Sequence, residues 1–317
     1  MRMRRTLAYL IFASCVILLV LKSRASDRSD EVHSGSWAIS KSDQPGKIEF
    51  GLMEHRHDGM SNHQSDWPMS SFSGVDFSKP GRQDVQFTIS RDAGKLECEG
   101  YLKEGEGAGV FHFQADPNYP REMKSLGFPV DEEKQYAMTV HDVSLAFARE
   151  MKDEHLSDLD TDKLVALRIF GVNKDFIEAL RAEGLKSSEA DKLVAFRIHG
   201  VNPQMVRSLH QAGYSPDDDT LVAMRIHGAT PEWMQELKQR GYDHIELQKL
   251  IAFRIHGVSP EFIQKLQGLG YSHPEPDELI AMRIHNVTPE YIADMRSRGM
   301  KDLSIDKLVS MRIHGID

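Results

Sequence analysis

One imidazole recurs at a fixed place through the second half of the chain: His141, His199, His227, His256, His285 and His314. Neutral imidazole ligates metals and titrates near neutrality, so such a row could hold metal ions or protons along a stripe. Spacing argues against a shared ion, because equivalent side chains on stacked helices lie about 10 Å apart while a His–metal bond is about 2.1 Å. Phe170 also interrupts the row. Capping of helix C-termini is the simpler account. A guanidinium ladder keeps the same rhythm: Arg168, Arg197, Arg225, Arg254, Arg283 and Arg312. It could grip a carboxylate-rich partner, which makes Arg197, Arg225, Arg254, Arg283 and Arg312 the candidate partner-binding residues. Ion pairs with nearby acids such as Asp191, Asp219 and Glu278 are the simpler account. His55, His57 and His63, with Asp58, are the histidines clustered outside this pattern, and their spacing fits no metal signature. The sequence has no His-Glu-x-x-His, no phosphate-binding Gly-rich loop after a strand, no Gly-x-Ser-x-Gly and no Cys–His pair placed for nucleophilic attack. No catalytic residue, metal ligand or cofactor is therefore assigned, and an enzyme is not expected.

The elements that carry these ladders repeat. Arg-Ile-His-Gly and its variants return at steps of 29, 29, 28, 29, 29 and 29 residues from Thr139 to Arg312. A constant period of this size marks a stacked array. Leu250, Ile251, Phe253 and Ile255 supply the apolar side of one helix, and Gly257 stops it in the left-handed conformation. Asn286 and Asp142 hold the same slot and tolerate that conformation best among other residues. An apolar residue follows each time, from Val143 to Ile316, placed to pack back on the helix it leaves. Ser144, Asn173, Asn202, Thr230, Ser259 and Thr288 are N-caps for a second helix, often with Pro at its first position, as at Pro260. A small residue (Ala137, Ala166, Ala195, Ala223, Ala252, Ala281, Ser310) lets neighbouring first helices approach closely. Helices this short are unstable alone, so stacking must bury their apolar sides.

The rest of the chain divides by composition. Residues 1–25 place Arg2, Arg4 and Arg5 before an apolar run, Leu7–Leu21; a cleaved signal peptide and an uncleaved single anchor both fit. Either puts the remainder outside the cytoplasm. Residues 26–46 read as a polar linker. Within 47–115, period-two alternation at Lys47–Leu52, Val85–Ile89, Lys95–Tyr101 and Val110–Phe113 predicts a small antiparallel sheet of about four strands, with His55–Gly81 as a long polar connection. Residues 117–317 form the αα-hairpin array of about seven units, so the fold class is α+β. Cys15 lies in the apolar run and Cys98 alone remains, a small core residue, so no disulfide framework exists. A net charge of −9 argues against nucleic acid as the partner.

The stretch Met282–Ile292, with Arg-Ile-His-Asn and Val-Thr-Pro-Glu-Tyr-Ile, resembles the C-terminal repeat tails of beta-lactam-sensing antirepressor-type membrane metallopeptidases. Gly94–Phe113, with Glu99-Gly100-Tyr101 and Gly107-Ala108-Gly109, is similar to the piece preceding those repeats. The peptidase and its metal motif are missing here, so the resemblance implies a detached extracytoplasmic module and carries over no catalytic residue. The expected function is non-catalytic binding of a protein or peptide in the bacterial envelope, periplasmic or anchored through the N-terminal segment. The alternatives are an accessory sensory subunit working with a membrane peptidase or signalling receptor, and a metal-binding protein using the repeat or loop histidines.

Overall fold

The computed structural model describes residues 33–56 and 59–316. The leader at 1–25 lies outside the described residues, as do His57, Asp58 and the His55 side chain. The fold is α+β: among the described residues, six strands are followed by fourteen α-helices. Two compact units divide after Glu150.

The first unit holds strands β1 (Ser34–Lys41), β2 (Lys47–Arg56), β3 (Gly59–Pro68), β4 (Arg82–Arg91), β5 (Gly94–Lys103) and β6 (Glu106–Ala115). Their order is β3-β2-β1-β6-β5-β4, with every neighbour antiparallel. Two of these strands correct the sequence reading. The supposed linker supplies β1, because Trp37 and Ile39 turn inward in alternation with half-buried Ser36, Ala38 and Ser40. The supposed connection supplies the edge strand β3, whose inward positions include His63 and Ser65 before Trp67, too polar to register as alternation.

The sheet is strongly curled. Strands β2 and β4 are four places apart, about 19 Å in a flat sheet, yet the rings of Phe50 and Phe87 lie 6.4 Å apart. Arg91 of β4 reaches over Trp67 of β3 at 5.3 Å, and Phe72 packs on Phe50 and Phe87. The curl encloses an aromatic core. Gly100 and Gly109, paired across β5 and β6, leave room for the Trp37 indole where any Cβ would collide with it. Cys98 is buried in this core, and burial pushes its thiol far above the usual range.

Helices α1 (Tyr119–Leu126) and α2 (Glu132–Val140) belong to the sheet's unit, and α3 (Leu145–Asp153) runs across the division. The boundary between sheet and helices at residue 115 is therefore not the boundary between compact units. Helix α2 packs on β5 and β6 and puts Tyr136 and Val140 into the sheet's core.

The second unit continues with α4 (Thr161–Ile169), α5 (Lys174–Ala182), α6 (Ala190–His199), α7 (Pro203–Gln211), α8 (Asp218–His227), α9 (Pro231–Gln239), α10 (Leu247–His256), α11 (Pro260–Gly268), α12 (Pro276–Ile284), α13 (Pro289–Ser297) and α14 (Ile305–Ile313). The punctuation matches the sequence reading. Gly257 has φ +75° and Asn286 φ +56°. Val258 N–H donates to Phe253 O at 2.8 Å, closing the capping motif that an αL residue permits. Ser259 Oγ accepts from Phe262 N at 3.2 Å, and Asn202 Oδ1 from Met205 N at 2.9 Å. First helices α4, α6, α8, α10, α12 and α14 each pack on the next. Among the described residues, no helix is long and apolar enough to cross a membrane.

Candidate interaction face

The first helices turn large apolar residues into the core, as Leu250, Ile251 and Phe253 do on α10 or Leu279 and Met282 on α12. The Arg-Ile-His step follows at the helix end, and its three side chains go to three different places.

The arginines turn back onto the preceding repeat. Arg197 Nη2 donates to Gly171 O at 2.6 Å, Arg225 Nε to His199 O at 3.0 Å, Arg254 Nε to His227 O at 3.1 Å and Arg283 Nε to His256 O at 3.2 Å. These carbonyls end the previous first helix, where the dipole is negative and the last acceptors lack intrahelical donors. Most of these guanidiniums also lie on a ring of the preceding second helix: Arg197 on Phe176 at 3.8 Å, Arg254 on Trp233 at 5.1 Å, Arg283 on Phe262 at 5.1 Å, and at the last repeat Arg312 on Tyr291 at 4.7 Å. A planar fork can donate from its edge while stacking through its face, which lysine cannot do. The anticipated ion pairs with Asp191, Asp219 and Glu278 give way to this arrangement. Asp191 and Asp219 pair with Lys163 and Lys192 of the preceding repeat, and Glu278 caps Glu275 N at 2.7 Å.

Tyrosines staple the opposite side, and no ladder in the sequence reading pointed to them. Tyr214 OH donates to Ile245 O at 2.9 Å, Tyr242 OH to Pro274 O at 2.7 Å and Tyr271 OH to Leu303 O at 2.7 Å. The signal was legible as Gly-Tyr recurring at the end of three second helices.

The isoleucine is the surprise. Ile255 was expected on the buried side of its helix; it is 54 % exposed. All six equivalents behave alike, from Ile169 at 50 % to Ile313 at 57 %, through Ile198, Ile226 and Ile284. Counting back, the residues three and four places earlier share that helix face: Ala252 and Ile251 on α10, Ala281 and Ile280 on α12, all buried or half-buried. Seven places back sits an acid in five of the six repeats: Asp162, Asp191, Asp219, Asp277 and Asp306, with Gln248 as the exception. The face is thus an apolar row with a half-buried floor, an edge where the helices begin that mixes these acids with the lysines Lys163, Lys192 and Lys249 paired to three of them, and an arginine edge where the helices end.

No family model matches the chain, and no curated protein matches it.

The histidines divide between the two units. In the array, His314 Nδ1 lies 2.7 Å from Ser310 O, while His199, His227 and His256 are held through their backbone carbonyls by the arginine staples. In the sheet's unit, His141 at the end of α2 meets His63 of β3 edge-to-face at 4.6 Å. Burial depresses the affinity of both rings for protons; for His141 burial, with a smaller contribution from His63 beside it, brings the pKa down to about 4. His63 Nε2 lies 3.1 Å from Ser65 Oγ, and Arg91 Nε lies 3.3 Å from Asp142 Oδ1 next to the pair. Deeper in the curl, the His33 ring pairs with buried Glu54 and stacks on Tyr136 at 4.6 Å. Among the described residues, no three His, Cys, Asp or Glu side chains come together to hold a metal ion.

Proposed function

We propose that this chain is a non-catalytic extracytoplasmic interaction module whose array presents its first-helix face to a protein partner in the envelope. The exposed isoleucine row carries the reading. Stacking and capping make no use of the outer half of these side chains, yet all six repeats keep isoleucine there. A monomeric surface rarely shows a contiguous apolar patch above a few hundred Å² unless something binds it. Five steps between its six isoleucines, at the 8–10 Å spacing of packed helices, extend this one over about 40–50 Å. Arg197, Arg225, Arg254, Arg283 and Arg312 border the row and form one edge of the proposed face. The basic residues before the Leu7–Leu21 run support delivery across the inner membrane.

The test separates the row from its staples. Ile226→Lys with Ile255→Lys should abolish recovery of a partner from envelope extracts while leaving the urea midpoint in place, since both side chains already face solvent. Unchanged recovery would refute the assignment of the face. The similarity of Met282–Ile292 to antirepressor-type repeat tails supports a second reading, an accessory subunit acting with a membrane peptidase. Co-purification with such a peptidase, lost in the same isoleucine variant, is its expected result.

A further inference from the structure

We infer that the cavity between Leu185 and Pro216 is a binding site for a phenolic group, either a partner's tyrosine side chain or a free phenol, seated where later repeats place a tyrosine of their own. The inference goes beyond the interaction reading above and makes no use of the isoleucine row.

The chain supplies its own template. Gly213, Gly241 and Gly270 end second helices at φ +86°, +92° and +89°, each followed by a tyrosine. The N–H groups of Tyr214, Tyr242 and Tyr271 donate back to the helix just left, to Leu209 O at 3.0 Å, Leu237 O at 3.1 Å and Leu266 O at 3.1 Å. Gly184-Leu185 has the same backbone, with φ +88° at Gly184 and Leu185 N–H donating to Leu180 O at 3.2 Å. Only the side chain differs. The three tyrosine hydroxyls each reach the carbonyl just ahead of an N-cap in the next loop of the same kind: Ile245 before Glu246, Pro274 before Glu275 and Leu303 before Ser304. By the same count Leu185 is matched to Pro216, which precedes the N-cap Asp217. Leucine has no donor, and among the described residues no donor reaches Pro216 O. The Leu156 repeat makes another provision: the carbonyl in that place, Ser188 O, accepts from Ser157 N at 2.8 Å.

Space lies where the tyrosine is missing. A cavity of about 460 Å³, open to solvent, is lined by Gly184–Ser187 on one side and Pro216–Asp219 on the other, with Lys192. That volume suits a small ligand, for which about 300–1,000 Å³ is usual. Leu185 and Pro216 lend it apolar surface. Its charges are engaged or cancel. Lys192 pairs with Asp219, Asp217 Oδ1 accepts from Thr220 N at 2.8 Å, and Lys186 and Asp218 are opposite in sign. A neutral ligand is therefore favoured.

Two polar groups of the lining remain unmatched. One is Pro216 O. The other is Ser187 Oγ, buried without a hydrogen-bond partner on a residue only 8 % exposed. A buried hydroxyl in that state is costly until something pairs with it. A phenol is neutral below a pKa of about 10, and its oxygen both donates and accepts. It complements a carbonyl that needs a donor and a hydroxyl that can supply one, while its ring covers the apolar lining.

The test titrates the full chain with p-cresol, and with a short alanine-flanked tyrosine peptide and its phenylalanine counterpart. Nuclear magnetic resonance follows the backbone amides. Both phenols should shift Leu185–Ser187 and Asp217–Asp219, and the phenylalanine peptide should bind at least about fivefold more weakly, the worth of one hydrogen bond. Leu185→Tyr should close the site to both phenols and, by adding a staple, raise the urea midpoint by about 0.3–0.5 M. Leu185→Phe should block binding without that gain. Tighter binding of the tyrosine peptide than of p-cresol assigns the site to a partner's side chain; equal or weaker binding assigns it to a free phenol. Equal binding of the phenylalanine peptide, shifts confined to other residues, phenol binding that survives both substitutions, or no binding by either phenol overturns the inference. Ile226→Lys with Ile255→Lys should leave these titrations unchanged, so failure of this site and failure of the isoleucine face are read separately.

Discussion

Replacing Arg254 with alanine tests whether the arginine ladder holds the array together. Its Nε donates to His227 O at 3.1 Å and its guanidinium lies 5.1 Å from the Trp233 ring centre. A hydrogen bond from a charged donor contributes about 1.5–3 kcal/mol when shielded. Arg254 is exposed, so solvent screening takes its bond below that range, to about 1 kcal/mol. The cation–π contact adds about 0.5–1 kcal/mol at such a site. The loss should therefore be about 1.5–2 kcal/mol at one interface between repeats. With a urea slope of about 2–3 kcal/mol/M for a unit of this size, the midpoint should fall by roughly 0.5–1 M. Far-UV circular dichroism follows it directly, because the helices dominate that signal.

Position and chemistry sharpen the expectation. Stability in a linear array is a sum of repeat and nearest-neighbour terms. Breaking a central interface should broaden the transition, whereas Arg312→Ala should fray only the final repeat. Arg254→Lys keeps the charge but loses the fork and the stacked plane, so it should recover less than half of the loss. Arg254→Ala combined with Arg283→Ala should be nearly additive, since the two side chains share no acceptor and no ring. An unchanged midpoint in Arg254→Ala, or full recovery by lysine, would refute the staple and return the ladder to ligand binding alone.

Other consequences are measurable in the same way. Tyr242→Phe removes the bond to Pro274 O at 2.7 Å and should cost about 1 kcal/mol, read from the urea midpoint. Asn286→Gly relieves a side chain at φ +56° and should raise stability by up to about 1 kcal/mol, whereas Gly257→Ala at φ +75° should lower it by about as much. Ile255→Ser should shift the midpoint by less than about 0.5 kcal/mol, a sharp contrast with any core position. His141 has its folded-state pKa depressed to about 4 while the unfolded ring titrates near 6.5. The unfolded chain therefore binds the extra proton first, and stability of the sheet's unit should fall as pH drops from about 6.5 to 4. Allowing for partial solvent screening, the loss is on the order of 1–2 kcal/mol. Near-UV dichroism of Trp37 and Trp67 reports it, and His141→Gln should flatten the slope.

How much of this was legible follows from what a linear pattern can encode. Caps and stops are local: Ser259, Gly257 and Asn286 act within one turn of themselves, so spacing alone located them. The staples join residues about 27 or 32 positions apart, and a sequence shows their recurrence without showing their acceptor. Arginine at every repeat is equally consistent with gripping a ligand and with gripping the previous helix; only the carbonyl of His227 under Arg254 decides which contact is made. The strands failed where polarity hid them. Ser34, Ser36 and Ser40 disguised β1, and β3 turns His63 and Ser65 inward, where an alternation rule looks for apolar residues. Ile255 failed for the converse reason. Hydrophobicity does not require burial there, since α10 already satisfies its core through Leu250, Ile251 and Phe253. On an amphipathic helix the residue four places beyond a buried one continues the same stripe, so Ile255 carries the apolar side of α10 out past the edge of the core. Repeated six times, that overshoot is the observation on which the proposed interaction face rests, and it lies in the same three letters, Arg-Ile-His, that carry both ladders.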